Sequence, residues 1–496
     1  MNIKQAKEQV KKTCIAYLTK DGFGDYVMPI EAQRPIFLLG APGIGKTAIM
    51  AQVADELDLG LVDYSMTHHT RQSAIGLPFI TKRIYGDREV DISEYTMSEI
   101  IASIYESIER TGRKEGILFL DEINCVSETL MPMMLRFLQS KMLGNYRVPD
   151  GWVIASAGNP LEYNKSARSF DVVTMDRVKL IEVEPDLAAW REYAVASGAH
   201  PAVVSFLDMR PDAFYHMETK GRTREFVTAR AWMDLSSMMR LYEKNGLEID
   251  DALIGQYIQT PAIAADFCVY LRLFASYSED YRIGDILSGA AAKEGSPVLA
   301  KAARAGFDER MALSGLLVDS LASHAESNVA EERELATLRK LLVEARGTND
   351  AEAFLDQAAT ERESALVADA VRFRHDAIAR NVEHALIKSL HAWAALLRGS
   401  ATSLKDLATD YNARLGAHKE QGVLIEAEIA AALSFMDAAW GAGNETTLAL
   451  NEMTLNRVLA AFIAKHGCEA YYDRSETLML DTRAQRLVER LTALNA

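Results

Sequence analysis

Cysteine is scarce and scattered: Cys14, Cys125, Cys268 and Cys468 are the four in a chain of 496 residues. No two form a CxxC pair, so neither a disulfide framework nor a zinc site is signalled. No apolar stretch is long enough to cross a bilayer. The opening Met1-Asn2-Ile3-Lys4-Gln5 lacks the apolar core of a signal peptide, and a cytoplasmic location is the default expectation. Positive charge is in deficit, with 54 Lys and Arg against 70 Asp and Glu and a net charge of −16. That balance opposes general affinity for nucleic acid, although it leaves room for a local basic channel. Proline does not occur after Pro297. Without that helix breaker, the tail reads as nearly all helix. Fixed-period repeats and low-complexity segments are also missing.

What is present is a globular composition, 49% apolar and 25% charged. The length exceeds one compact core and implies roughly two to four domains. One loop organises the first part of the chain, Gly40-Ala41-Pro42-Gly43-Ile44-Gly45-Lys46-Thr47. It fits the P-loop pattern, with four residues between its first glycine and Gly45-Lys46-Thr47. The apolar run Pro35-Ile36-Phe37-Leu38-Leu39 before it has strand length, and the segment from Ala48 to Ala54 after it has helical periodicity. A glycine loop between a buried strand and a helix can ring a phosphate with backbone N–H groups at the positive end of the helix dipole. Gly40, Ala41, Pro42, Gly43, Ile44, Gly45, Lys46, Thr47 and Ala48 are therefore the candidate ATP-binding residues. Lys46 is expected to reach the outer phosphates, and the Thr47 hydroxyl to ligate Mg²⁺.

Further strands are expected at 59–66, 116–120, 152–157 and 179–183, alternating with helices, which predicts a parallel sheet covered on both faces. Residues 3–20 read as a helix with Val10, Cys14, Ile15 and Leu18 on its apolar stripe. Residues 80–85 and 89–92 read as a hairpin, 97–110 and 127–140 as helices, and 146–151 as a turn. After Pro185 the strand pattern vanishes, and 186–285 read as helices broken at Gly198, Pro201, Pro211 and Gly221. In the tail, Leu335, Leu338, Leu342 and Ala345 repeat at helical spacing, as do Val382, Leu386, Leu390, Trp393 and Leu397, and then Leu404, Leu407, Tyr411 and Leu415. These stripes predict a packed bundle core rather than a free coiled coil.

The strand Leu118-Phe119-Leu120 ends in Asp121-Glu122. Some seventy residues after a P-loop, such a pair reads as the second half of a nucleotide site. Asp121 would hold the Mg²⁺ shell and Glu122 would polarise the attacking water. His68-His69 is adjacent rather than spaced for a metal. Cys125 has no basic neighbour in sequence and reads as a packing residue. The cluster Glu331-Glu332-Arg333-Glu334 reads as a solvated helix face.

P-loop, Asp-Glu strand and a later strand ending in Asn follow the order of AAA+ ATPases. Gly76-Leu77-Pro78, Asp121-Glu122-Ile123-Asn124 and Ala157-Gly158-Asn159-Pro160 resemble the MoxR group of that family, over roughly residues 30–285. The resemblance implies further roles. Asn159 matches the sensor-1 residue. Arg177 matches the arginine finger that reaches a neighbouring subunit's ATP, with Arg168 as a competing candidate. Arg230 matches the sensor-2 arginine, although Ala229 stands where the family commonly has proline, and Arg224 is the fallback. The Gly76-Leu77-Pro78-Phe79 loop and hairpin match an insert that in related motors grips a partner, and Phe79 and Tyr85 are either contact points or hairpin packing.

The resemblance further implies a P-loop AAA+ α/β domain over 1–185 and an α-helical lid over 186–285; the tail lies outside it and reads, from its stripes, as an all-α C-terminal extension over 286–496 that binds a partner or stabilises the ring. The expected assembly is a ring, a hexamer, and the expected activity is ATP hydrolysis coupled to remodelling of a protein client. A client bearing a von Willebrand factor A domain is implied by the family alone. Two other readings stay open: a nucleic-acid motor of a restriction or replication system, and a nucleotide-gated scaffold with little turnover.

Overall fold

The structure is a computed structural model and describes residues 1–66, 76–86, 88–163, 167–220, 223–293, 295–368, 377–398, 403–441 and 443–476. Its first strands in chain order are β1 (Ile36–Gly40), β2 (Gly60–Ser65), β3 (Pro78–Tyr85), β4 (Arg88–Tyr95), β5 (Gly116–Asp121), β6 (Met142–Leu143), β7 (Tyr146–Arg147), β8 (Trp152–Gly158) and β9 (Lys179–Val183). Five of them form one sheet in the order β2-β5-β8-β1-β9, parallel at every pairing. The inner strands are apolar on both faces, as a sheet covered by helices requires. All of β8 is buried, and β5 is buried up to Asp121.

The helix Lys46–Glu56 follows β1, and Glu99–Thr111 precedes β5. Ser98 caps the second of these by accepting from the Ile101 amide, and Gly112 ends it in a left-handed turn. Ile100, Ile101 and Ile104 have no exposed surface and pack with Leu118 and Leu120 of β5 and with Met134 and Phe137 of the helix Met131–Ser140. The fold is the expected P-loop α/β sheet. β3 and β4 form an antiparallel hairpin of their own outside that sheet.

Several local expectations are corrected. The N-terminal helix spans Ile3–Tyr17 and buries Ala6, Val10, Thr13 and Cys14. Ile15 is 51% exposed, because it stands about 100° around the helix from Cys14. Tyr146 and Arg147 pair with β6 before the chain turns. Strands also reappear after Pro185: β10 (His216–Lys220) and β11 (Thr223–Val227) pair antiparallel. Their mostly polar and charged side chains hid them from a reading based on apolar patterning. Gly221 and the pair His68-His69 lie outside the described residues.

The chain divides into two compact units, Met1–Trp190 with Thr228–Arg230, and Arg191–Val227 with Ala231–Ala496. The second unit is mainly helical. Its helix Phe307–Ala345 contributes Leu313, Leu317 and Leu321 to a core shared with Ile425, Ile429 and Leu433 of the helix Leu404–Trp440. Leu459 and Phe462 of the helix Arg457–His466 complete that side. Further along, Leu338 and Leu342 pack with Leu386, Leu390, Trp393 and Leu407. The tail stripes are thus a bundle core. The acidic cluster is not wholly a solvated face: Glu334, on the same helix face as Leu338, is buried, accepts from Ser389 and pairs with Arg414 at 3.0 Å.

Arg191 is shared by two carboxylates in this unit. Its Nε donates to Asp208 at 2.8 and 2.9 Å, and its NH2 pairs with Glu452. Two acids around one guanidinium leave a negative charge in excess. Burial pushes Glu452 up from 4.5 to about 7 against the attraction of Arg191, with Asp208 adding to the rise. A raised carboxylate means that the native state keeps a proton which the unfolded chain releases. Its stabilising contribution is therefore complete below 4.5 and lost as pH rises toward 7. In urea unfolding between about pH 5 and about pH 7.5, Glu452→Gln should show a shallower loss of stability than the parent. Equal slopes would contradict the assignment.

Candidate functional site

Strand register brings the candidate site residues to one end of the sheet. Leu39 of β1 pairs with Gly158 of β8, so Asn159 leaves β8 level with Gly40. Lys46 opens the helix Lys46–Glu56, whose N-cap Gly45 carries no capping side chain. The Lys46 Nζ folds back to donate to the Gly40 and Ala41 carbonyls at 2.8 Å each and to Asn159 Oδ1 at 2.9 Å. All three acceptors are neutral oxygens. Lys46 is 8% exposed, and burial pulls its pKa down to about 8; Asp121 opposes this, Arg230 adds to it and Glu122 opposes it. A dry ammonium held only by neutral oxygens, beside uncapped helix N–H groups, fits the terminal phosphates of a nucleotide.

The second half of the site comes from β5. Because β8 lies between β1 and β5, the ends of all three strands meet. Thr47 Oγ1 donates to Asp121 Oδ2 at 2.8 Å. The other Asp121 oxygen accepts from the Glu122 amide at 2.9 Å. A hydroxyl and a carboxylate in contact are a hard oxygen pair, which fits Mg²⁺. Glu122 itself has φ +56°, the left-handed region, which costs a residue with a side chain about 1 kcal/mol. The strained turn is closed by the Cys125 amide donating to the Glu122 carbonyl at 2.9 Å. Burial, with Glu122 and Asp121 adding to it, raises the Cys125 thiol and disfavours a thiolate there.

Asn124 was legible only as part of a motif, and its place in the site was not. It is 3% exposed. Its Nδ2 donates to the Asn159 carbonyl at 2.8 Å and to the Arg168 carbonyl at 3.3 Å, and its Oδ1 accepts from the Asn159 amide at 3.2 Å. Asn124 thus pins the tip of β8 from both sides, while the Arg168 amide donates to the Asn124 carbonyl at 2.9 Å. An Asn two residues after the acid pair is the sequence signal for this brace.

The segment Thr228–Arg230 belongs with the first unit. The Arg230 amide donates to the Gly43 carbonyl at 2.9 Å. Gly43 has φ +72°, and a Cβ there would sit 2.8 Å from Thr228 Cβ and Oγ1, so only glycine permits this approach. Trp190 Nε1 donates to the Ala229 carbonyl at 3.2 Å, anchoring the same segment. The Arg230 side chain is exposed. Arg224 pairs through its backbone with Thr219 in the β10–β11 hairpin, and its side chain lies outside the described residues. Arg177 and Arg168 are both exposed. Arg177 NH1 donates to Gln139, and Arg168 pairs with Glu128 at 2.6 Å.

Residues 36–173, from β1 to the short helix Val172–Met175 before β9, match the family model of the ATPase family associated with various cellular activities (AAA). Comparison with curated proteins gives no match. No helix among the described residues is long and apolar enough to cross a membrane. The matched segment carries both halves of the site, so the chain contains an AAA-type nucleotide-binding domain.

The depressed Lys46 has a measurable consequence. A phosphate anion favours its charged form, so binding should restore the ordinary value near 10.5. Between about pH 8 and about pH 10, ATP binding should take up a proton, and affinity should fall as pH rises. Calorimetric titrations at about pH 9 in two buffers of different ionisation heat should therefore give different apparent enthalpies. Identical enthalpies would contradict a lysine held this way.

Proposed function

We propose that this chain is a MoxR-like AAA+ ATPase that hydrolyses ATP in a hexameric ring and uses the cycle to remodel a partner protein in the cytoplasm. The observation that carries this reading is the meeting of Lys46, Thr47, Asp121 and Asn159 at the ends of β1, β5 and β8. ATP would lie along the loop Gly40–Ala48, with Lys46 and Arg230 facing its negative charge. Mg²⁺ held by Thr47 and Asp121 would neutralise charge on the phosphates. Glu122 would accept the proton of the attacking water at its carboxylate, and Asn159 would orient that water through its amide.

Arg177 is assigned as the finger that enters the neighbouring subunit's site. Its exposure supports this, as does the apolar surface beside it: Val172 is 85% and Val173 58% exposed. Solvated valines next to a candidate catalytic arginine suit a surface that a neighbouring copy covers. Removal of the terminal phosphate would then alter how two subunits pack. We read residues 186–285 as the lid and 286–496 as the extension that stabilises the ring or meets a partner.

The β3–β4 hairpin is the best candidate for contact with the client. Ile80 is 77%, Ile84 75% and Tyr85 59% exposed, and Phe79 is 42% exposed. This degree of exposure favours contact over packing within the hairpin. A von Willebrand factor A domain client rests on the resemblance to MoxR proteins. The net charge of −16 disfavours nucleic acid as the driven substrate.

Glu122→Gln separates turnover from binding: ATP should still bind and rings should still assemble, with steady-state hydrolysis lowered by about a hundredfold or more. Parent-like turnover would remove Glu122 as the base, and a scaffold reading would gain if the parent itself released no phosphate. Mixing Arg177→Ala with Lys46→Ala subunits tests the shared site. Rings of either variant alone should be inactive. Some mixed interfaces would pair an intact pocket with an intact arginine and regain part of the activity. Mixed rings as inactive as either variant alone would contradict action across an interface.

A further inference from the structure

The bundle of the second unit holds a cluster unrelated to the nucleotide site. Glu332 lies on the helix Phe307–Ala345, His418 on Leu404–Trp440 and His466 at the end of Arg457–His466. One ligand atom from each lies within 4.8 Å of the other two. We propose that Glu332, His418 and His466 form a binding site for a divalent transition metal of the zinc type, which ties these three helices together.

Two unmet polar demands point to a ligand. His418 is 6% exposed and its Nδ1 is buried without a hydrogen-bond partner. His466 Nε2 is likewise buried and unpartnered. Buried ring nitrogens normally find a donor or acceptor, and two imidazoles left unmet beside a carboxylate are answered together by one cation. Nearby, Asn328 stands one helical turn before Glu332. It donates to the His418 carbonyl at 3.1 Å and keeps its own Oδ1 without a donor, leaving an acceptor for water carried by an ion.

The packing holds the rings in place. Gly422, one turn after His418, gives the His466 ring its room: a Cβ there would lie 2.6 Å from His466 Cε1. Phe462 stacks on the same ring with centroids 4.2 Å apart and planes at 17°. The His418 and His466 centroids are 6.3 Å apart. A tetrahedral zinc with bonds of about 2.1 Å holds its ligand atoms about 3.4 Å apart, so groups within 4.8 Å of one another close in by at most about 1.4 Å to take it. Glu332 Oε1 pairs with Lys465 at 3.0 Å, but that lysine is 65% exposed, so the pair is weak and leaves the second carboxylate oxygen available. Two imidazole nitrogens and one carboxylate select a borderline ion such as Zn²⁺ over Mg²⁺ or Ca²⁺, whose preferred ligands are oxygens.

The test uses the full chain, purified without a polyhistidine tag, stripped with chelator and titrated with Co²⁺ in excess Mg²⁺ without nucleotide. The parent should bind a single tight Co²⁺ with visible ligand-field bands, and Zn²⁺ should displace it and raise the unfolding temperature. His418→Gln and His466→Gln should each weaken binding at least about tenfold and abolish the bands, whereas Asp121→Asn should leave both unchanged. If a histidine variant fails to fold, Glu332→Gln, at a partly exposed position, should still weaken binding about tenfold. A parent that binds no Co²⁺ under these conditions would overturn the proposal. So would a folded histidine or Glu332 variant with the parent's affinity and spectrum.

Discussion

The nucleotide-binding unit depends on where one ammonium group is forced to sit. Lys46 is largely buried at the start of its helix, and its three hydrogen bonds go to neutral oxygens at the ends of β1 and β8. Those oxygens satisfy the donors without cancelling the charge. The remaining demand is electrostatic, and a phosphate group would meet it. The sheet order follows the same constraint: β8 must stand beside β1 for Asn159 to face Lys46, and β5 must come next for Asp121 to meet Thr47.

That arrangement is stiffened by contacts within the protein around it. Asn124 clamps both backbone groups of Asn159, and a strained turn at Glu122 sets the chain direction between them. Positioning of this kind leaves little reorganisation for the reacting geometry to make. The second unit is held differently, by apolar layers along two long helices with a few buried polar groups inserted between them. Arg191 with its two acids, Glu334 with Arg414, and the His418–His466 pair are such insertions.

The sheet was legible because β1, β5 and β8 are short apolar runs ended by a glycine, an acid or an asparagine. The P-loop was legible because its information is contiguous: eight residues in fixed order between a strand and a helix. The Asp121-Glu122 pair could be read because a strand end announces itself. Asn124 could not, since its partners lie 35 and 44 residues further along and only the paired strands bring them together. The β10–β11 hairpin escaped because its polar residues give no burial period. Ile15 lies beside the apolar stripe but off the helical phase set by Ala6, Val10 and Cys14, which turns it to solvent. Charge alone predicts a solvated Glu334, and one arginine on a neighbouring helix reverses that. A residue whose work is done on another copy of the chain, as proposed for Arg177, leaves no trace in the single fold beyond exposure.

The account turns on a triphosphate gripped by Lys46 and completed by a second subunit. Sedimentation velocity of the full chain with Mg²⁺, with and without saturating ATP, combined with release of inorganic phosphate from the same samples, tests it most directly. The account predicts a nucleotide-dependent shift from smaller species to a closed ring, with phosphate released at a rate that rises with assembly. A chain that stayed monomeric under saturating ATP and released no phosphate would contradict it.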